Sequence, residues 1–158
     1  MKTATINIYT FDELPDDAKE VAREWWREGL DYPWWAESLD SIRAFCDRFG
    51  VSIKDYSVGA FSPAWITTDA QNANFRGLKL KTIDRDAMPT GYCLDATLYR
   101  VFYDTFKATG DALAAFNEAV DAAVYDIRND MEWQLSDECV DEMLSINGYE
   151  FTEDGKIY

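Results

Sequence analysis

Nine carboxylates fall between Glu118 and Glu142: Glu118, Asp121, Asp126, Asp130, Glu132, Asp137, Glu138, Asp141 and Glu142. Arg128 is the one base among them. Three kinds of chemistry use such groups. Paired carboxylates move protons, clustered ones hold hard cations, and a linear array imitates the charge of a phosphate backbone. If the segment were helical throughout, it would measure about 36 Å and carry about one acid per 4 Å. A DNA strand carries one phosphate per roughly 3.4 Å. The bland alternative is a solvated helix face. Lysine and arginine are almost absent here, so i,i+4 ion pairing does not account for the acids.

Other site chemistry finds few parts. The chain has no histidine, so the commonest general base and metal ligand is missing. Serine or cysteine triads built on histidine are excluded, and no glycine-rich phosphate loop occurs. Asp84 and Asp86 match the first spacing of a calcium loop. Met88 and Pro89 then stand where a ligand and a glycine belong. With thirty acids, some carboxylate pair always arises by chance, so a pair alone carries no specificity. Cys46, Cys93 and Cys139 are odd in number and far apart, which fits free thiols better than a disulfide framework or a zinc site. The expectation is a binding protein with no catalytic residues, no metal and no cofactor.

The elements that position these residues follow from periodicity. Thr3 to Tyr9 alternates as a strand. A helix starts around Asp12 to Leu14, with Pro15, Asp16 and Asp17 in its first turn. Leu14, Ala18, Val21 and Trp25 form its apolar stripe, and Gly29 ends it. A second helix opens at Asp31-Tyr32-Pro33 and carries Trp35, Leu39, Ile42, Cys46 and Phe49 before Gly50. The short connection makes these two helices antiparallel neighbours, with Trp25 and Trp35 as the clasp. Trp26 and Trp34 sit one position off those stripes, packed at the helix edges or exposed as interface anchors.

Strands are expected over Val51–Val58, Ala64–Thr68 and Gly77–Lys81, and a loop over residues 83–93. Helices follow from Leu94 to Ala108 and from near Asp111. That last helix cannot run through to Ile146. Continued past Ser136, it would turn Glu138 and Glu142 onto the face that buries Val120 and Met131, and burying unpaired carboxylates is very costly. Ser136 therefore caps a new helix with Cys139, Val140, Met143 and Leu144 inward. Asp154-Gly155 marks a short terminal hairpin. The fold class is α+β: a single domain over residues 1–158, with an antiparallel sheet of about four or five strands and about five helices.

Charge is uneven. The net charge is −15 overall; residues 111–158 carry 13 acids and 2 bases, whereas residues 51–110 carry 6 acids and 7 bases. Such a field repels nucleic acid and membrane headgroups and attracts basic partners. No apolar run approaches the roughly 20 residues of a membrane span. The opening residues lack an apolar signal core, which points to the cytoplasm.

Several segments resemble a family of small acidic phage and prophage proteins. They are Phe11-Asp12-Glu13-Leu14 with Asp17-Ala18-Lys19 and Arg23-Glu24-Trp25; Phe75-Arg76-Gly77-Leu78-Lys79-Leu80; and Met88-Pro89-Thr90-Gly91-Tyr92-Cys93. Met131-Glu132-Trp133-Gln134-Leu135-Ser136-Asp137-Glu138 and the closing Tyr149 to Gly155 complete the set. Members are sometimes labelled antitoxins of toxin–antitoxin systems. The resemblance implies a mobile-element context in a bacterial host. With the acidic last third, it points to an inhibitor of a nucleic-acid-binding defence complex of the CRISPR or restriction kind. The acids would occupy a groove meant for phosphates. The alternative is an antitoxin-like module neutralising a basic toxin through the acids together with Trp26 and Trp34. Both readings imply a basic protein partner, no direct nucleic acid and no membrane.

Overall fold

The computed structural model describes residues 5–59 and 62–158. Helix and strand are mixed, and the chain divides into two compact units, residues 1–31 with 131–158, and residues 32–130. Each is built around its own apolar residues.

In the first unit, α1 (Asp16–Glu28) packs on α5 (Asp137–Ile146). Pro15 precedes α1, and Asp16 and Asp17 occupy its first turn, where the helix dipole favours anions. The buried residues are Phe11, Leu14, Ala18 and Ala22 with Val140, Leu144 and Phe151. The expected stripe is shifted at one position: Ala22 is buried and Val21 is exposed. Alanines at 18 and 22 keep this side of α1 flat, so backbone can come close. Gly155 does so, at φ +81, with an added Cβ falling 2.0 Å from the Ala18 carbonyl oxygen.

The β elements here are short. Of the expected strand Thr3–Tyr9, the described residues place only Tyr9 in a strand, β1 (Tyr9–Thr10), paired antiparallel with β4 (Glu150–Phe151). Residues 5–8 are exposed and lie outside any strand, and Thr3 lies outside the described residues. Ile6 and Ile8 have no apolar face to bury against, so alternation alone does not extend the ladder. The terminal hairpin forms as expected. Thr152 N–H donates to the Lys156 carbonyl at 2.9 Å, and Phe151 bridges Ile157. Lys156 Nζ, 2.5 Å from the Asp154 carboxylate, pulls its pKa down to about 2.

The second unit contains α2 (Trp35–Arg48) packed on α3 (Leu94–Thr109). Helix α4 spans Ala112–Leu135 and belongs to this unit through Asp130. Its centre is aromatic. Phe45 is fully buried, stacks on Phe116 with centroids 5.2 Å apart, and meets Tyr99 and Phe102 edge-on. Strands β2 (Ile53–Ser57) and β3 (Trp65–Thr68) form an antiparallel pair within the expected segments.

The expected sheet of four or five strands is not seen as one ladder among the described residues. Among the described residues the strands make two separate two-stranded ladders. The expected strand Gly77–Lys81 is absent, because Gly77 takes φ +76 and Leu78 N–H turns back to Phe75. A 3-10 turn then follows over Leu80–Thr82. The leucine–lysine alternation there is local coincidence, with Leu78 and Leu80 only half-buried.

Loop 83–93 is irregular, as expected, and is tied down by a residue that sequence reading passed over. Asp95 is completely buried at the start of α3. Its Oδ2 accepts hydrogen bonds from Thr90 N–H and Oγ–H at 2.9 Å and from Gly91 N–H at 3.0 Å. Its Oδ1 is buried without a partner, which offsets part of that gain. Asp95→Ala should therefore cost about 2 kcal/mol, seen as a lower urea midpoint at unchanged slope.

Candidate partner-binding surface

The break at Ser136 sets the geometry of the acidic segment. Ser136 has extended backbone at ψ 150, and its Oγ accepts from Cys139 N–H at 3.3 Å. This new start turns Val140 and Leu144 inward and leaves Glu138 and Glu142 exposed.

The nine carboxylates fall into two classes. Four are engaged within the protein. Arg23 holds Asp141 through two bonds, Nε to Oδ1 at 2.7 Å and Nη2 to Oδ2 at 2.8 Å. The Asp141 carboxylate raises the guanidinium pKa above its ordinary value. Arg27 binds Asp137 and the Leu135 carbonyl. Tyr32 O–H donates to Asp130 at 2.8 Å, and Thr97 O–H donates to Asp126 at 2.6 Å. The other five, Glu118, Asp121, Glu132, Glu138 and Glu142, are exposed. No hydrogen bond or ion pair engages them among the described residues.

On α4, Glu118, Asp121 and Tyr125 follow at steps of three and four residues and share the face opposite the buried Phe116, Ala123 and Ile127. Tyr125 is 62% exposed. It was not among the expected site residues, although its spacing from Asp121 marks it. Asp126 and Asp130 lie on a flank of the same helix, where Thr97 and Tyr32 reach them. Arg128, the one base, is turned to the Ala64 carbonyl at 2.8 Å.

The tryptophans sort differently from their stripes. Trp25, expected in the core, is half-buried and packs edge-on against Tyr149 and Phe151 at the core's margin. Trp35, expected in the core, is 45% exposed, and so is Trp34. Trp25 belongs to the first unit, where α1 packs on α5, and Trp35 to the second, where α2 packs on α3. α2 begins only at Trp35, so its buried stripe starts with Ser38 and Leu39. Trp26 is half-buried against Tyr149. With Trp25, Gly29 and Leu30, these rings line a surface pocket of about 270 Å³.

Asp84 and Asp86 are engaged within the protein. Asp84 Oδ1 accepts from Asp86 N–H, and Asp86 pairs with Arg100 at 3.0 Å. Among the described residues no three potential ligands converge on one point. No helix there is long and apolar enough to cross a membrane. Burial pushes the Cys46 thiol up to about 12, and Cys139 is buried, whereas Cys93 is exposed. Ellman's reagent should therefore titrate one thiol quickly in the native protein and the other two only on unfolding.

No family model, curated protein or solved structure matches this chain.

Proposed function

We propose that the protein works by binding: a phage or prophage accessory protein, acting in the bacterial cytoplasm, that blocks a host defence complex by occupying its basic nucleic-acid surface. The observation that supports this is the set of exposed carboxylates without a counter-cation. Four acids take donors within the protein, yet Glu118, Asp121, Glu132, Glu138 and Glu142 remain open to solvent. Uncompensated like charges oppose folding, and a basic partner would relieve that repulsion. The exposed Tyr125 between the α4 acids adds the aromatic contact typical of interface anchors.

Binding of this kind releases counterions and weakens steeply with salt. Immobilised protein in a host lysate should retain a nucleic-acid-binding complex at about 50 mM salt and release it by about 500 mM. Retention of nothing, or of a partner that high salt does not elute, would dispose of the reading.

The alternative is an antitoxin-like module that neutralises a basic toxin. Adjacent Trp34 and Trp35, both exposed, favour a mixed apolar and acidic interface. In that case capture yields a single small basic protein, and Trp34→Ala abolishes it.

A further inference from the structure

Within the second unit, a pocket of about 180 Å³ opens between the start of α2, the start of α3 and the middle of α4. Asp126 and Asp130 line it, one helical turn apart. Each is pinned by a neutral donor, Thr97 O–H at 2.6 Å and Tyr32 O–H at 2.8 Å, and in each case the bond goes to Oδ2. The Oδ1 atoms are therefore left as acceptors, and among the described residues no lysine or arginine pairs with either acid.

An independent feature points the same way. Ser38 lines this pocket at 1% exposure. Its hydroxyl lies near the Tyr32 and Tyr92 phenols but makes no well-directed hydrogen bond. A buried hydroxyl left open in this way is costly unless something else meets it. Burial raises the Tyr32 pKa, with Asp130 adding to the effect, so that phenol stays a donor to its acid.

The pocket thus presents acceptors in excess, two of them carboxylates, beside the Tyr92 ring. Its occupant must be cationic, rich in donors and small, since the volume equals that of about six waters. A guanidinium brings five N–H donors in a planar fork suited to carboxylates and to aromatic faces. An ammonium is a compact point charge with three donors.

We propose that this pocket receives the guanidinium of an arginine side chain presented by the basic partner, held by Asp126, Asp130 and Ser38. The proposal rests on the partner-binding reading above, and its test needs no partner. Nα-acetyl-arginine amide, titrated into the isolated protein, should give saturable amide shifts at Ser38, Thr97, Asp126 and Asp130. The dissociation constant should lie in the low millimolar range, roughly 1–10 mM. It should also slow labelling of Cys93, an exposed thiol lining the same pocket. Nα-acetyl-lysine amide should bind at least about fivefold more weakly.

Asp130→Asn, which keeps an oxygen for Tyr32, and Ser38→Ala should each weaken the arginine probe about fivefold or more. Glu153→Gln, at an exposed carboxylate of the terminal hairpin, should leave it unchanged. No saturable shift, equal response to the lysine probe, or binding indifferent to Asp130→Asn and Ser38→Ala would each overturn the proposal. So would Mg²⁺ or Ca²⁺ displacing the arginine probe from these residues at equimolar concentration. Failure of the arginine titration leaves the salt-dependent capture untouched, and failure of the capture leaves the titration untouched.

Discussion

Gly155→Ala should be among the most damaging single substitutions in the chain. Two penalties coincide there. At φ +81 an L side chain is strained by roughly 1–2 kcal/mol. Its Cβ would also stand 2.0 Å from the Ala18 carbonyl oxygen and 2.8 Å from the carbonyl carbon, both backbone atoms of α1. Backbone cannot swing aside as a flexible side chain can, so the hairpin must lift from the helix. An overpacking cost of about 1–3 kcal/mol adds to the strain. The total, about 2–5 kcal/mol, is a large part of the roughly 5–15 kcal/mol that holds a domain.

Gly148→Ala is the control. Its φ is +65, but nothing lies within 4 Å of the added methyl. It should cost only the conformational penalty, about 1 kcal/mol. Urea denaturation followed by tryptophan fluorescence measures both. Equal losses for the two variants would show that the Gly155 contact is not a packing constraint.

The second large effect concerns binding. Neutralising Glu118, Asp121, Glu138 and Glu142 as amides should leave the thermal midpoint unchanged or raised, since only mutual repulsion is removed. Affinity for the captured partner should fall by about 100-fold or more at low salt. Neutralising Asp137 and Asp141 should do the opposite. These acids hold Arg27 and Arg23, so the loss appears first in stability of the first unit. Thermal denaturation and binding of the two variants, measured side by side, separate the roles. An equal loss of affinity at equal stability for both sets would mean that the internal pairing is irrelevant to what the acids do.

This division was only half legible in the sequence. The helical breaks were readable, because their causes are local. Ser136 caps, Glu138 and Glu142 refuse burial, and Asp154-Gly155 turns the chain. The charge map was readable as a count but not as a surface. Arg23 and Asp141 are 118 positions apart, and no periodicity places α1 beside α5. Counting the last third alone therefore made its acids look wholly uncompensated.

The tryptophans misled for a related reason. Trp35 continues a helical stripe, but it stands at the first residue of α2, where a stripe need not yet face the core. Trp26 lies off its stripe yet finds Tyr149 from the opposite end of the chain. The shortness of the sheets was likewise hidden. β-prone residues such as Ile6, Ile8, Leu78 and Leu80 alternate without an apolar surface to pack on.

On the proposed reading, the free carboxylates take the place of phosphates on a basic partner. Competition tests it most directly: the captured complex is loaded with fluorescently labelled nucleic acid, and the protein is titrated in. The wild-type protein should displace the nucleic acid, less so as salt rises, and the variant neutralised at Glu118, Asp121, Glu138 and Glu142 should not. Displacement by that variant as effective as by wild type, or stable co-occupancy of protein and nucleic acid, would contradict it.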